Sequence, residues 1–265
     1  MAKLAAGVSF TGRIGNLSAY KMRGVEGIVL RQKGGASKEK IKTSDDFVRT
    51  REVNSEFGGR STASKWLRGT LVHQRHIADF NLAGPLNALM KPVQLLDTEN
   101  KRGKRNIVLS KNPHLLEGFS LNRRTYLDSI IRSPLAWSIS RDTLSARIDM
   151  PALVPGFNFF TAEKYPLYTI VASLGIMPDL FYTGNGYNPS SREYMINTTQ
   201  AADTGWLPVL KGSPALSLAI TLPKPPPDEF FSLVLAVGVC YGTMRDTGVA
   251  GPVNYVGAAR IVAMA

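Results

Sequence analysis

The thirteen residues Phe230–Gly242, FFSLVLAVGVCYG, limit what this chain can fold into more than any other stretch. A helix needs about 20 apolar residues to cross a bilayer, so this run is too short for one. It is rich in β-branched and aromatic residues, which suit a pleated, buried strand. Three further runs read the same way: LYTIVASLGI (167–176), ALSLAITL (215–222) and ARIVAMA (259–265). AWSISRD and LSARIDM read as two strands around a tight RDT turn, with Trp137, Ile139, Leu144, Ala146 and Ile148 spaced for one face. At least six strands separated by turn signals predict an antiparallel, Ig-like or jelly-roll-like β-sandwich over residues 126–265. Pro223–Pro227, PKPPP, reads as a stiff loop between two of the strands.

The front of the chain has another texture. Residues 11–32 read as two short strands, with Gly24 and Gly27 bracketing the turn between them. Residues 33–42, KGGASKEKIK, lack an apolar period and read as a loop. Thr43 or Ser44 can cap a helix whose first turn holds Asp45 and Asp46, and the Gly58–Gly59 pair predicts a break or kink in it. A second helix is expected over Ser61–Ile77, with Trp66, Leu67, Thr70 and Leu71 inward. A third is expected over Leu86–Leu96, ended early or kinked by Pro92. ENKRGKRN (99–106) reads as a charged turn and NPHLLEGF (112–119) as a short helical turn. The expected organisation is α+β or mainly β, with a basic N-terminal region over 1–125 followed by the sandwich.

Charge divides along the same line. Residues 1–125 carry 23 Lys and Arg against 10 Asp and Glu, a net of +13; residues 126–265 carry 9 against 10, a net of −1. Asymmetry of this size points to a polyanionic partner such as nucleic acid, an acidic surface or an acidic neighbour in an assembly. The candidate contacts are Arg13, Lys21, Arg23, Arg31 and Lys33; Lys38, Lys40 and Lys42; and Lys101, Arg102, Lys104 and Arg105. Each can neutralise a phosphate, giving salt-dependent affinity with little reading of sequence.

Known catalytic and ligand motifs do not account for the chain. The glycine-rich stretch TGRIGNLSAYKMRGVEGIVLR (11–31) contains neither G-x-x-x-x-G-K-[ST] nor G-x-G-x-x-G, and reads as a positive hairpin rather than a phosphate cradle. His73, His76 and Asp79 lie at i, i+3 and i+6, which turns Asp79 away from His73, so no metal site is expected. Cys240 sits in an apolar strand with no histidine near it in sequence, and reads as a small buried hydrophobe. No G-x-S-x-G elbow is present. No cofactor is expected. The most aromatic region, 157–206, includes Tyr182, Tyr187, Tyr194 and Trp206; these join amides and hydroxyls in a surface able to take a sugar or a protein partner. NTT at 197–199 is a glycosylation sequon, relevant only in a secretory pathway.

GVSFTGRIGNLSAYKMRGVEGIVLR (7–31) resembles the N-terminal signature of an uncharacterised protein family of Bacteroidota, G-x-x-S/T-G-K/R-I/V-G-N-x-x-x-Y-K-x-x-G-x-x-V-x-R. The matching positions are Thr11, Gly12, Arg13, Ile14, Gly15, Asn16, Tyr20, Lys21, Gly24 and Arg31. The resemblance covers about 25 residues. It implies the layout of basic start, helical middle and β C-terminal half, and it brings no active site with it.

These readings together predict a non-enzymatic structural protein that self-associates, coat- or filament-like, with its basic half toward a polyanion or acidic partner. Two rival readings are a monomeric, sequence-nonspecific nucleic-acid binder and a carbohydrate binder built on Tyr182, Tyr187 and Trp206 in one groove. The apparent lack of a signal peptide makes a cytoplasmic location without membrane insertion the default, with a virion or released particle left open.

Overall fold

The computed structural model describes residues 2–3, 10–22, 25–32, 34–161, 164–196, 198–246 and 248–265. The chain forms two compact units, Met1–Arg51 and Glu52–Ala265. The division therefore falls well before residue 125. The helical stretch after Glu52 joins the strands because its apolar residues, among them Leu67, Leu71, Leu86 and Met90, belong to the same buried cluster as theirs.

In the first unit, β1 (Ala2–Lys3), β2 (Gly12–Ile14), β3 (Leu17–Lys21) and β4 (Ile28–Gln32) form an antiparallel sheet in the order β1-β4-β3-β2. Residues 11–32 thus hold three strands where two were expected. The extra turn is Gly15–Asn16: Ile14 pairs with Leu17 across it, and Gly15 takes φ +55°, the left-handed conformation that a two-residue hairpin loop demands. Gly24 and Lys33 lie outside the described residues. The expected loop at 33–42 instead contains α1 (Lys38–Thr43). Capping stands in for apolar periodicity there: Ser37 Oγ accepts from Lys40 N at 3.1 Å, and the Arg51 guanidinium donates to Ile41 O and Ser44 O at 2.9 and 2.7 Å. Only Ala19, Ile28 and Val29 are buried hydrophobics among the unit's described residues.

The second unit takes up most of α2 (Val48–Thr70), which runs unbroken through Gly58 and Gly59. It is one helix of 23 residues where two were expected. Gly59 has a packing reason: a Cβ there would sit 2.8 Å from the ring of Tyr187. Trp66, Leu67, Thr70 and Leu71 are buried as expected, and turns replace helix over 71–77. α3 (Ala83–Leu95) incorporates Pro92 rather than ending at it. After a 3₁₀ turn at Pro113–Leu116 come α4 (Leu127–Ile130) and the hairpin of β5 (Ala136–Ser140) and β6 (Ser145–Met150). In that hairpin Trp137 is opposite Ile148 and Ile139 opposite Ala146, so these four share one face as expected, with Ala146 and Ile148 buried on it and Trp137 exposed.

The remaining strands are β7 (Leu167–Pro178), β8 (Phe181–Tyr182), β9 (Tyr187–Asn188), β10 (Thr199–Asp203), β11 (Leu207–Pro208), β12 (Leu216–Thr221), β13 (Phe231–Met244) and β14 (Ala250–Met264). The main sheet runs β10-β7-β13-β14 with β11 added to β7; β12-β6-β5 form a second sheet and β8-β9 a short hairpin. All of these pairs are antiparallel. The α+β, mainly β class read from the sequence is the class adopted.

The helical stretch lies on the face of the main sheet that carries Ser173, Gly175, Gly238 and Cys240. Thr70 packs on Gly175 and Ile77 on Gly238. The fully buried Gln74 donates through Nε2 to Val171 O and Ala236 O, both at 3.3 Å, and accepts from Ser173 Oγ at 2.8 Å. A buried amide with both ends satisfied is stabilising rather than costly, and it fixes the helix register over the sheet. Tyr168, on the opposite face, packs against Phe159 with ring centroids 4.5 Å apart. No helix among the described residues is long and apolar enough to cross a membrane.

Candidate polyanion-binding face

Sheet register decides which N-terminal cations stand together. Arg13 of β2 is opposite Ser18 of β3, and Ser18 is opposite Arg31 of β4. Residues directly opposite in a ladder share a face, so two arginines flank one serine in a row. Two strand spacings put their backbones about 10 Å apart. Tyr20, two residues beyond Ser18, lies on the same face, and a hollow of about 260 Å³ is lined by Arg13, Ser18, Tyr20, Arg31 and Gln32 among others. Both arginines are exposed, and no ion pair among the described residues involves either. Like charges on one sheet face repel. Two guanidinium forks with a hydroxyl between them match the oxygens of a phosphate or carboxylate.

The other sequence candidates separate. Lys21 is exposed on the opposite face of β3, because side chains alternate along a strand. Lys38, Lys40 and Lys42 are exposed on α1, with Lys38 and Lys42 one turn apart and Lys40 on the other side. Arg23 and Lys33 lie outside the described residues, as does Asn197 of the sequon.

The 101–105 cluster has a structural task. Arg102 and Arg105 approach Glu52 and Glu56 of α2 at 4.0 and 3.8 Å. Gly103 N donates to Glu56 Oε1 at 2.9 Å, and Ser55 Oγ donates to Gly103 O at 2.6 Å. The turn is thereby fastened to the helix and two of its four cations are paired; Lys101 and Lys104 are exposed.

The aromatic candidates do not form one groove. Tyr187 is buried, its hydroxyl taking a hydrogen bond from Gln94 Nε2 at 3.3 Å, and burial pushes its pKa up to about 12. Tyr182 packs edge-on against it and donates to Gly184 O. Tyr194 is buried at the Phe230 end of β13, where its hydroxyl donates to Asp228 Oδ1 at 2.5 Å; burial and that carboxylate raise its pKa. Trp206 fills the space left by Gly242, at the other end of the same strand. Phe231 to Gly242 spans roughly 35 Å of strand. The groove required for the carbohydrate reading is absent among the described residues.

One proximity was invisible in the sequence. His76, in the turns after α2, brings Nε2 to 3.2 Å from Cys240 Sγ, 164 positions away. Burial pushes the Cys240 thiol up to about 11 and pulls the His76 imidazole down. Both shifts favour an uncharged thiol and imidazole over a thiolate–imidazolium pair, and Cys240 is only 1 % exposed. Among the described residues no three His, Cys, Asp or Glu are placed together to hold an ion.

No protein-family model, no curated protein and no solved structure matches this chain.

Proposed function

We propose that this chain is a non-enzymatic assembly protein whose N-terminal unit attaches it to an acidic partner or polyanion, a neighbouring copy included. The observation that carries this reading is the Arg13–Ser18–Arg31 row, without an ion-pair partner among the described residues, on a sheet with few buried side chains of its own. Met1–Arg51 holds 11 Lys and Arg against 4 acids. Ile14, Leu17 and Met22 are exposed there while only three described hydrophobics are buried. A unit so poor in core gains stability by binding, since a ligand that recognises only the folded form shifts the equilibrium toward it.

The test is mass measurement by light scattering at about 50 mM and about 500 mM salt, a range over which screening of exposed charge changes strongly, with absorbance at 260 and 280 nm recorded. The reading expects a species heavier than the 28.9 kDa chain at low salt, dissociating at high salt and lost in Arg13→Glu/Arg31→Glu. A 28.9 kDa monomer free of nucleic acid under both conditions defeats it. A monomer carrying strong 260 nm absorbance favours the rival reading of a small nucleic-acid binder.

A further inference from the structure

A second basic surface lies wholly within Glu52–Ala265 and shares no residue with the N-terminal row. Lys65 and Arg68 stand one turn apart near the C-terminal end of α2, and Arg75 follows in the turns after it. Two adjoining hollows, of about 830 and 330 Å³, share Arg68, Val72 and Arg75 as a common wall. One acid, Asp79, lines the larger hollow, and its carboxylate is held by the backbone N–H groups of Arg123 and Arg124, each at 3.0 Å. No ion pair among the described residues involves Lys65, Arg68 or Arg75. Three cations thus stand against one carboxylate, and the groove is net cationic.

Its rim carries an aromatic ring in an unusual position. Tyr255 is 72 % exposed and has φ +65°, the left-handed region that non-glycine residues seldom occupy. Its N–H donates to His76 O at 2.8 Å, which ties the strained residue to the wall of the groove. The amides of Asn81 and Asn254 line the same hollow.

We propose that this groove binds single-stranded nucleic acid. Lys65, Arg68 and Arg75 take successive phosphates, Tyr255 stacks on a base, and the two asparagine amides reach base edges. A positive groove with an exposed ring at its rim is the arrangement that holds single strands, because every base offers a π-face. A duplex hides those faces and leaves Tyr255 nothing to stack on. An acidic peptide needs the cations but not the ring. Binding is therefore salt-dependent and nearly indifferent to base sequence.

The experiment uses the full chain and a fluorescein-labelled (dT)15 strand, followed by anisotropy between about 50 and 200 mM salt, where phosphate contacts dominate the salt response. Lys65→Glu/Arg75→Glu is expected to weaken binding at least tenfold and to flatten the log–log salt slope by about 1.4, two single-strand phosphate contacts. Tyr255→Asn keeps a residue type that tolerates the left-handed backbone, and is expected to weaken binding about fivefold or more without altering the slope. In the unaltered protein, a 5-iodouracil strand is expected to photocrosslink at Tyr255. No binding at 50 mM salt overturns the inference, as does binding unaffected by either groove variant. Binding lost only in Arg13→Ala/Arg31→Ala overturns it while leaving the N-terminal reading intact. Polyglutamate competing as well as the oligonucleotide, with Tyr255→Asn silent, replaces the nucleic acid by an acidic segment.

Discussion

Two adjacent glycines in α2 should respond to the same substitution with opposite signs. Gly58 is exposed, and a Cβ built on it meets nothing within 4 Å. Replacing glycine by alanine inside an exposed helix stabilises by about 0.8–1 kcal/mol. Gly59 is buried, and its Cβ would lie 2.8 Å from three ring atoms of Tyr187. That ring cannot retreat freely, since its hydroxyl is held by Gln94 and it packs edge-on against Tyr182. Overpacking a closed site costs about 1–3 kcal/mol, from which the helix gain of about 1 must be subtracted. Gly59→Ala should therefore destabilise by up to about 2 kcal/mol while Gly58→Ala stabilises by somewhat under 1 kcal/mol. Urea titrations with a common m-value read both; by melting, each kcal/mol moves Tm by about 2–4 °C in a domain of this size. A Gly59→Ala protein stabilised as much as Gly58→Ala would refute the view that Tyr187 is what requires glycine there. A Gly58→Ala protein that loses stability would show that the helix is not regular through the pair.

Two further outcomes follow from the titrating groups. Partial burial pushes the Asp97 carboxyl up, but the backbone amides of Asn100, Asn106 and Glu99 and the Asn100 side chain outweigh it and hold its pKa below the usual value. A depressed carboxyl contributes stability above its unfolded pKa and loses it as pH falls through the folded one. Asp97→Asn should thus cost about 1 kcal/mol at pH 7, the value of hydrogen bonds to a charged acceptor reduced by solvent screening, and the gap should close in urea titrations carried below about pH 4. A gap that persists undiminished in acid would show that charge is not what the amides recognise. For Cys240, a thiol raised to about 11 and buried should resist Ellman's reagent at pH 8 in the folded protein and react stoichiometrically in denaturant; prompt reaction of the native chain would contradict its placement.

The β half was legible because its signals are local. Runs such as Leu167–Ile176 and Phe230–Gly242 are apolar on both faces, and β7 and β13 are buried almost throughout. What was misread was settled at a distance. The Gly58–Gly59 pair looks like a helix break until Tyr187 arrives from 128 positions away to use the gap. The 101–105 cations look free until Glu52 and Glu56 present themselves on α2. α1 has no apolar face at all and exists through Ser37 and Arg51, both of them contacts to backbone atoms that leave no periodic trace. The Arg13–Ser18–Arg31 row depended on knowing the Gly15–Asn16 turn, since a one-residue slip would have sent Ser18 to the other face. The groove of Lys65, Arg68 and Arg75 escaped notice because its members are spaced too widely to read as a cluster.

The margin of the main sheet at β14 carries a consequence for how copies can meet. Gly118 N donates to Ile261 O, Leu121 N to Ala259 O, and Ile261 N to Phe119 O, so a short irregular segment occupies the bonding positions that a bare outermost strand would offer. Over Ala259–Ile261 that side is shut to an incoming chain seeking to lengthen the sheet. In the N-terminal sheet the outermost strand β2 is three residues long, wholly exposed and, among the described residues, bonded on one side only, by β3. If molecules of this protein join by adding strand to strand, β2 is the better seam of the two, and an arginine stands at its middle.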